Sequence, residues 1–190
     1  MAFERDWIFL QAALPGLQDY LLSRDVYRPV LLPPGVPRNT QVPQLTIGSL
    51  LLSQARLSAL ELDPARQSEL ADLTQRINQV RHEWRGNWSS KAGQEYTSRL
   101  RLWGQYLRDL RIDPRANAAY YSNEARQRAI LHLLVPELLE ELPQADVDQT
   151  HLLDSVLRGL AQPGPFVWEP EAERAFPGDG FWFLYLQINK

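Results

Sequence analysis

The chain has 190 residues, 44% of them hydrophobic, which is enough to bury a core as one domain over 1–190 and too apolar for intrinsic disorder. It has no Cys, so disulfides, thiolate metal sites and cysteine nucleophiles are excluded. The net charge of −3 is unevenly spread: residues 64–115 hold ten Arg and Lys against six Asp and Glu, and residues 116–190 hold five against eleven. A basic helix packed near an acidic C-terminal half would let the two fields offset each other.

Residues 6–23 carry Trp7, Leu10, Leu14, Leu17 and Leu21 at helical spacing, interrupted by Pro15-Gly16, which predicts two short helical pieces or a kink. The opening residues contain acids and lack the basic and apolar regions of a signal peptide, so the expected setting is cytoplasmic. Val26 to Leu32 suits a short strand, confined to an edge by Pro29. Residues 33–43 read as a Pro-rich, exposed loop.

A helix is expected over 44–62, with Ile47, Leu50, Leu51, Ala55, Leu57 and Leu60 facing inward. Asp63-Pro64 then stops one helix and starts the next. The Asp63 carboxylate can cap orphan backbone N–H groups, and Pro64 fits the first helical position.

The dominant pattern follows. Leu70, Leu73, Ile77, Val80, Trp84, Trp88, Ala92, Tyr96, Leu100, Trp103, Leu107 and Leu110 form one apolar stripe. Their mean step is about 3.6 residues, the period of a straight α-helix rather than the 3.5 of a left-handed coiled coil. The phase passes Gly86-Asn87 unbroken, which favours one long central helix over 64–112, continuous or bent near Gly86, over the alternative of two antiparallel helices parted at Gly86.

Asp113-Pro114 repeats the stop-and-start signal. Ser122 is the expected cap of a helix reaching Leu134, and Val135-Pro136 should kink or restart it, with the second piece ending near Leu142. Asp146 or Asp148 is the expected cap of a further helix through Leu160. Segments 165–168 and 181–188 read as strands joined through an acidic stretch and a Pro177-Gly178-Asp179-Gly180 turn. The longest apolar run, Phe181 to Leu186, is far short of the roughly twenty residues of a membrane span. The expected fold is mainly α: a helical bundle built on one long central helix, with a small β element from N- and C-terminal segments and a β-containing C-terminal stretch over 165–190.

Trp84 and Trp88 stand one turn apart, flanked by Arg81 and Arg85. Such a pair can stack bases while arginines meet phosphates. Their phase with Val80 and Ala92 assigns the indoles to the core instead. Arg101, Arg108, Arg111 and Arg115 fall near one face at spacings of seven, three and four, as a solvated face or as phosphate contacts would. Asp148, His151 and Asp154 share a helix face at spacings of three, a weak metal-ligand signal without the Glu-x-x-His motifs of di-iron bundles. Nucleophile-elbow and phosphate-cradling motifs are absent from the sequence.

The expectation is a non-catalytic interaction or scaffold module that binds another protein or itself. Its candidate surface is Arg81, Arg85, Arg101, Arg108, Arg111 and the tail residue Trp182. No cofactor, metal or membrane is expected. The alternatives are an Arg/Trp nucleic-acid binder and, less favoured, a metal-dependent helical enzyme around Asp148, His151 and Asp154.

Overall fold

The computed structural model describes residues 2–189. The fold is mainly α with a small two-stranded antiparallel sheet. The chain divides into two compact units, Met1–Glu95 and Tyr96–Lys190.

In the first unit, helix α1 (Ala2–Ala13) continues through a 3-10 turn (Leu14–Gly16) into α2 (Leu17–Leu22). The Pro15-Gly16 signal is thus a local tightening of the helix. α1 packs on α3 (Ile47–Ser58), burying Phe9, Leu10, Ala13, Leu50 and Leu57. α3 starts later than expected because Leu45 is used elsewhere. It exchanges two backbone hydrogen bonds with Arg28, of 2.7 and 3.2 Å, in an isolated antiparallel bridge. Thr46 then caps the helix, its Oγ1 accepting from the Ser49 N–H at 3.0 Å. Bridge Arg28–Leu45 is all that forms from the expected 26–32 strand, and it closes the neck of the Pro-rich loop.

α4 (Pro64–Glu83) begins as the sequence indicates, with Asp63 Oδ1 accepting from the Arg66 N–H at 2.9 Å. The single helix expected over 64–112 is two segments, α4 and α5 (Arg85–Ile112), parted at Trp84. Trp84 has φ −110° and ψ 34°, outside helical values. Its N–H still bonds to Val80 O, and the Trp88 N–H bonds to Trp84 O, both at 2.9 Å. The four-residue steps of the stripe therefore survive a one-residue interruption, which is why periodicity does not register it. Trp88, Ala92, Tyr96, Leu100, Trp103, Leu107 and Leu110 are buried along α5, whereas Trp84 is only half-buried.

In the second unit, α6 (Pro114–Asn117) is capped by Asp113 and leads through a 3-10 turn to α7 (Tyr121–Leu134). Ser122 thus lies in the first turn of α7 rather than at its cap. After Val135-Pro136 only a 3-10 turn forms, over Val135–Glu137. α8 (Gln144–Leu160) starts ahead of the expected Asp146 or Asp148 cap, with Pro143 at the cap position. β1 (Ala161–Pro163) pairs with β2 (Leu186–Ile188), Gln162 opposite Gln187. The expected 165–168 strand is irregular backbone that keeps the antiparallel relation through two bonds, Gly164 N–H to Tyr185 O and Val167 N–H to Leu184 O. Phe166, Trp168, Phe176, Phe181 and Phe183 pack ring against ring over this region, with edge-to-face contacts between Phe166 and Trp168, Trp168 and Phe176, Phe176 and Phe181, and Phe181 and Phe183. Among the described residues, no helix is long and apolar enough to cross a membrane.

Candidate interaction surfaces and the buried charges

The six candidate surface residues have different environments. In the first unit, Arg81 and Arg85 are half-buried, and the Arg81 guanidinium lies over the Trp88 ring at 5.9 Å. Trp88 is fully buried, so this contact roofs a core indole and offers no base-stacking platform. In the second unit, Arg101, Arg108 and Arg111 are exposed on α5, as is Arg115 beyond it. Gln105 and Ile112 extend the same outer face at helical spacing, and Ile112 is 80% exposed. Trp182 is half-buried, with the Arg158 guanidinium 4.0 Å above its ring, a cation–π pair that the sequence did not indicate.

The Asp148, His151 and Asp154 set does not converge. Asp154 is buried, and its two oxygens accept from Arg128 Nε at 2.8 Å and Nη2 at 2.9 Å. Asp148 Oδ1 accepts from Gln144 Nε2 at 2.8 Å, and His151 is exposed. Each Asp154 oxygen is thus occupied by one guanidinium N–H, and its charge is balanced by Arg128 instead of being offered toward Asp148 or His151. Among the described residues, no cluster of three or more potential metal ligands occurs.

The polar chemistry of the molecule lies in buried residues that the pattern reading passed over. Asp6 on α1 accepts from Ser53 Oγ at 2.7 Å and Arg56 Nε at 2.8 Å, both on α3. Glu95 on α5 is fully buried, and its carboxylate accepts from the Gly48 N–H at 2.8 Å, at the first turn of α3. A negative charge there meets both orphan donors and the positive end of the helix dipole. One turn before it, Lys91 Nζ donates to Ser23 O at 2.8 Å and to Asp25 O, where α2 ends, and lies 4.9 Å from the Tyr20 ring centroid. Loss of hydration lowers the Lys91 pKa, with Asp25 opposing that shift and Arg28 adding to it. A signal for these residues was present: Lys91 and Glu95 flank Ala92 and Tyr96 within the stripe, and Asp154 adjoins Leu153, so the charges lie in phase with core positions.

In the second unit, Tyr96 and Thr150 share a 2.8 Å hydroxyl hydrogen bond. Burial raises the Tyr96, Tyr106 and Tyr121 pKa values. The Arg128 guanidinium also stacks over Phe183 at 4.8 Å, and the Tyr121 hydroxyl donates to Phe183 O. His132, one turn beyond Arg128, packs its ring against Phe181 at 4.5 Å. Desolvation and then the Arg128 charge lower its pKa. No family model matches the chain, and no characterised protein or solved structure matches it either.

Proposed function

We propose that the protein is a non-catalytic interaction or scaffold module working in the cytoplasm, with self-association as one form of that role. The use of the buried charges carries this reading. Asp6 with Arg56, Asp154 with Arg128, and Lys91 and Glu95 on backbone groups are all committed to joining elements. Charges spent in this way specify a fold rather than run a reaction. Apolar side chains supply contact groups at the surface: Leu31, just ahead of the Pro-rich 33–43 stretch, is 91% exposed, and Ile112 ends the outer face of α5.

The test is site-specific photocrosslinking in the native host from positions 31 and 112, with light scattering of the purified protein over a range of concentration. Discrete crosslinked protein species, or a concentration-dependent dimer, support the reading. A monomer that crosslinks to nothing from either position overturns it.

A nucleic-acid interface is the second reading, favoured by the exposure of Arg101, Arg108 and Arg111 along one helix. It predicts binding that weakens steeply with salt and falls on Arg108→Ala.

A further inference from the structure

We infer that α4 is an exchangeable arm: with Trp84 as the pivot, α4 of one copy leaves its seat on α1 and takes the same seat on α1 of a second copy, forming a dimer. The inference rests on the self-association reading above and gives that association its geometry. The seat is slight and mostly polar. Glu69 Oε1 accepts from Trp7 Nε1 at 3.3 Å and from Gln11 Nε2 at 2.7 Å, and the Arg66 guanidinium lies over the Trp7 ring at 4.6 Å. Of the 20 residues of α4, only Leu73 and Ile77 are buried. The first turns of α5 are held by a different set of groups, Lys91 on Ser23 O and Glu95 on the Gly48 N–H, both at 2.8 Å. α4 can therefore leave its seat while α5 keeps its own.

The pivot is a single residue. Trp84 has φ −110° and ψ 34°, against about −63° and −42° in an α-helix, and the residues on both sides of it are helical. Rotation at Trp84 alone joins α4 and α5 into one helix. The sequence accepts that form as well as the turned one: no proline lies between Pro64 and Pro114, and Val80, Trp84 and Trp88 keep steps of four through the junction. Glu69 stands on the far side of the pivot by about 22 Å of helix, at 1.5 Å per residue. A rotation at Trp84 therefore carries Glu69 out of reach of Trp7 and Gln11. The seat left open holds a large indole whose N–H has lost its acceptor, and α4 of a second copy matches it residue for residue. Exchange keeps every contact of the seat and alters only the junction, so its equilibrium depends on concentration and on the residue at the pivot.

The chain has no Cys, so introduced thiols report without background. Full-length Gln11→Cys/Glu69→Cys is concentrated, separated by size and bridged with a short bis-maleimide. The expected result is bridging within the chain in the monomer and between chains in a concentration-dependent dimer. The two single variants, Gln11→Cys and Glu69→Cys, should bridge to each other once incubated together at high concentration. Trp84→Ala and Trp84→Gly lose the same ring and differ in helix preference at the pivot. With two pivots in each dimer, the alanine form should dimerise about twentyfold more tightly than the glycine form. A monomer at every concentration overturns the exchange, as does equal dimerisation of Trp84→Ala and Trp84→Gly. A dimer whose bridges stay within chains also overturns it, and leaves the self-association reading standing.

Discussion

Arg128 grips Asp154 through two hydrogen bonds of 2.8 and 2.9 Å, with both side chains about nine-tenths buried. The pair joins α7 to α8, and Phe183 covers the guanidinium at 4.8 Å. Removing one partner strands the other charge. Asp154→Ala should therefore cost about 3–5 kcal/mol. Replacing both residues with apolar ones of similar volume should recover most of that loss. Urea denaturation of the two single variants and the double variant measures both effects, and an additive double variant would contradict the coupling.

Glu95 has a comparable role at the first turn of α3. Glu95→Ala leaves the Gly48 N–H buried without its acceptor and should cost about 1–3 kcal/mol. Glu95→Gln keeps an acceptor and should cost less. Hydrogen exchange at Gly48 and its neighbours should accelerate in the alanine variant before exchange elsewhere in α3 does.

The indoles of the stripe separate by burial. Trp88→Ala should cost about 3–5 kcal/mol, and Trp84→Ala clearly less, since Trp84 is only half-buried. Trp103 differs from both. Its Nε1 is buried without a hydrogen-bond partner, and an unmet buried donor is destabilising by about 1–3 kcal/mol. Trp103→Phe removes that donor together with some ring volume, so the net change should stay within about 1 kcal/mol. Thermal melts of the three variants give the ranking.

His132 makes stability depend on pH. Its folded pKa lies below the ordinary 6.5, because partial desolvation of a ring that is still exposed on one side, and then the Arg128 charge, disfavour the charged form while Asp154 partly opposes them. The unfolded chain therefore binds the proton more readily. The stabilising contribution is fully present above pH 6.5 and is lost as pH falls through the lowered folded value. His132→Gln should flatten the unfolding curve in that window and leave it unchanged at pH 8.

Arg101 and Arg108 are exposed, away from the core side of α5. Replacing both with Ala should shift stability by no more than about 0.5 kcal/mol. Any loss of partner or nucleic-acid binding in that variant would then report on the surface and not on the fold.

Much of the helical plan was legible because its signals are local. Asp63-Pro64 and Asp113-Pro114 mark helix starts through the residue's own carboxylate, and both carboxylates accept the expected backbone N–H. The stripe from Leu73 to Leu110 marks the core side through period alone. The break at Trp84 was not legible, since a single residue outside helical geometry leaves the steps of four intact. Lys91, Glu95 and the ion-pair role of Asp154, which the sequence offered only as a metal ligand, were hidden for another reason. A charge in phase with apolar residues gains meaning only when its partner is known, and Gly48, Ser23 and Arg128 lie 47, 68 and 26 positions away. Of the two C-terminal strands, 181–188 holds only over Leu186–Ile188, after a 3-10 turn at Trp182–Leu184, and 165–168 does not form, its Phe166 and Trp168 lying in an aromatic cluster that period-two patterning does not describe.

The two hydrogen bonds between Arg28 and Leu45 fasten the ends of the Pro-rich loop to each other, so its contour length is uncoupled from the helices it joins. At its tip, Gly35 takes φ 87° in a tight turn, with Val36 N–H bonded to Pro33 O. Loop-closure entropy grows only logarithmically with length, so a doubled loop would cost about 0.6 kcal/mol more. A tag or small domain inserted between Gly35 and Arg38 should leave α2 and α3 in register. The same tip is where a protease should first cut the native chain without unfolding it.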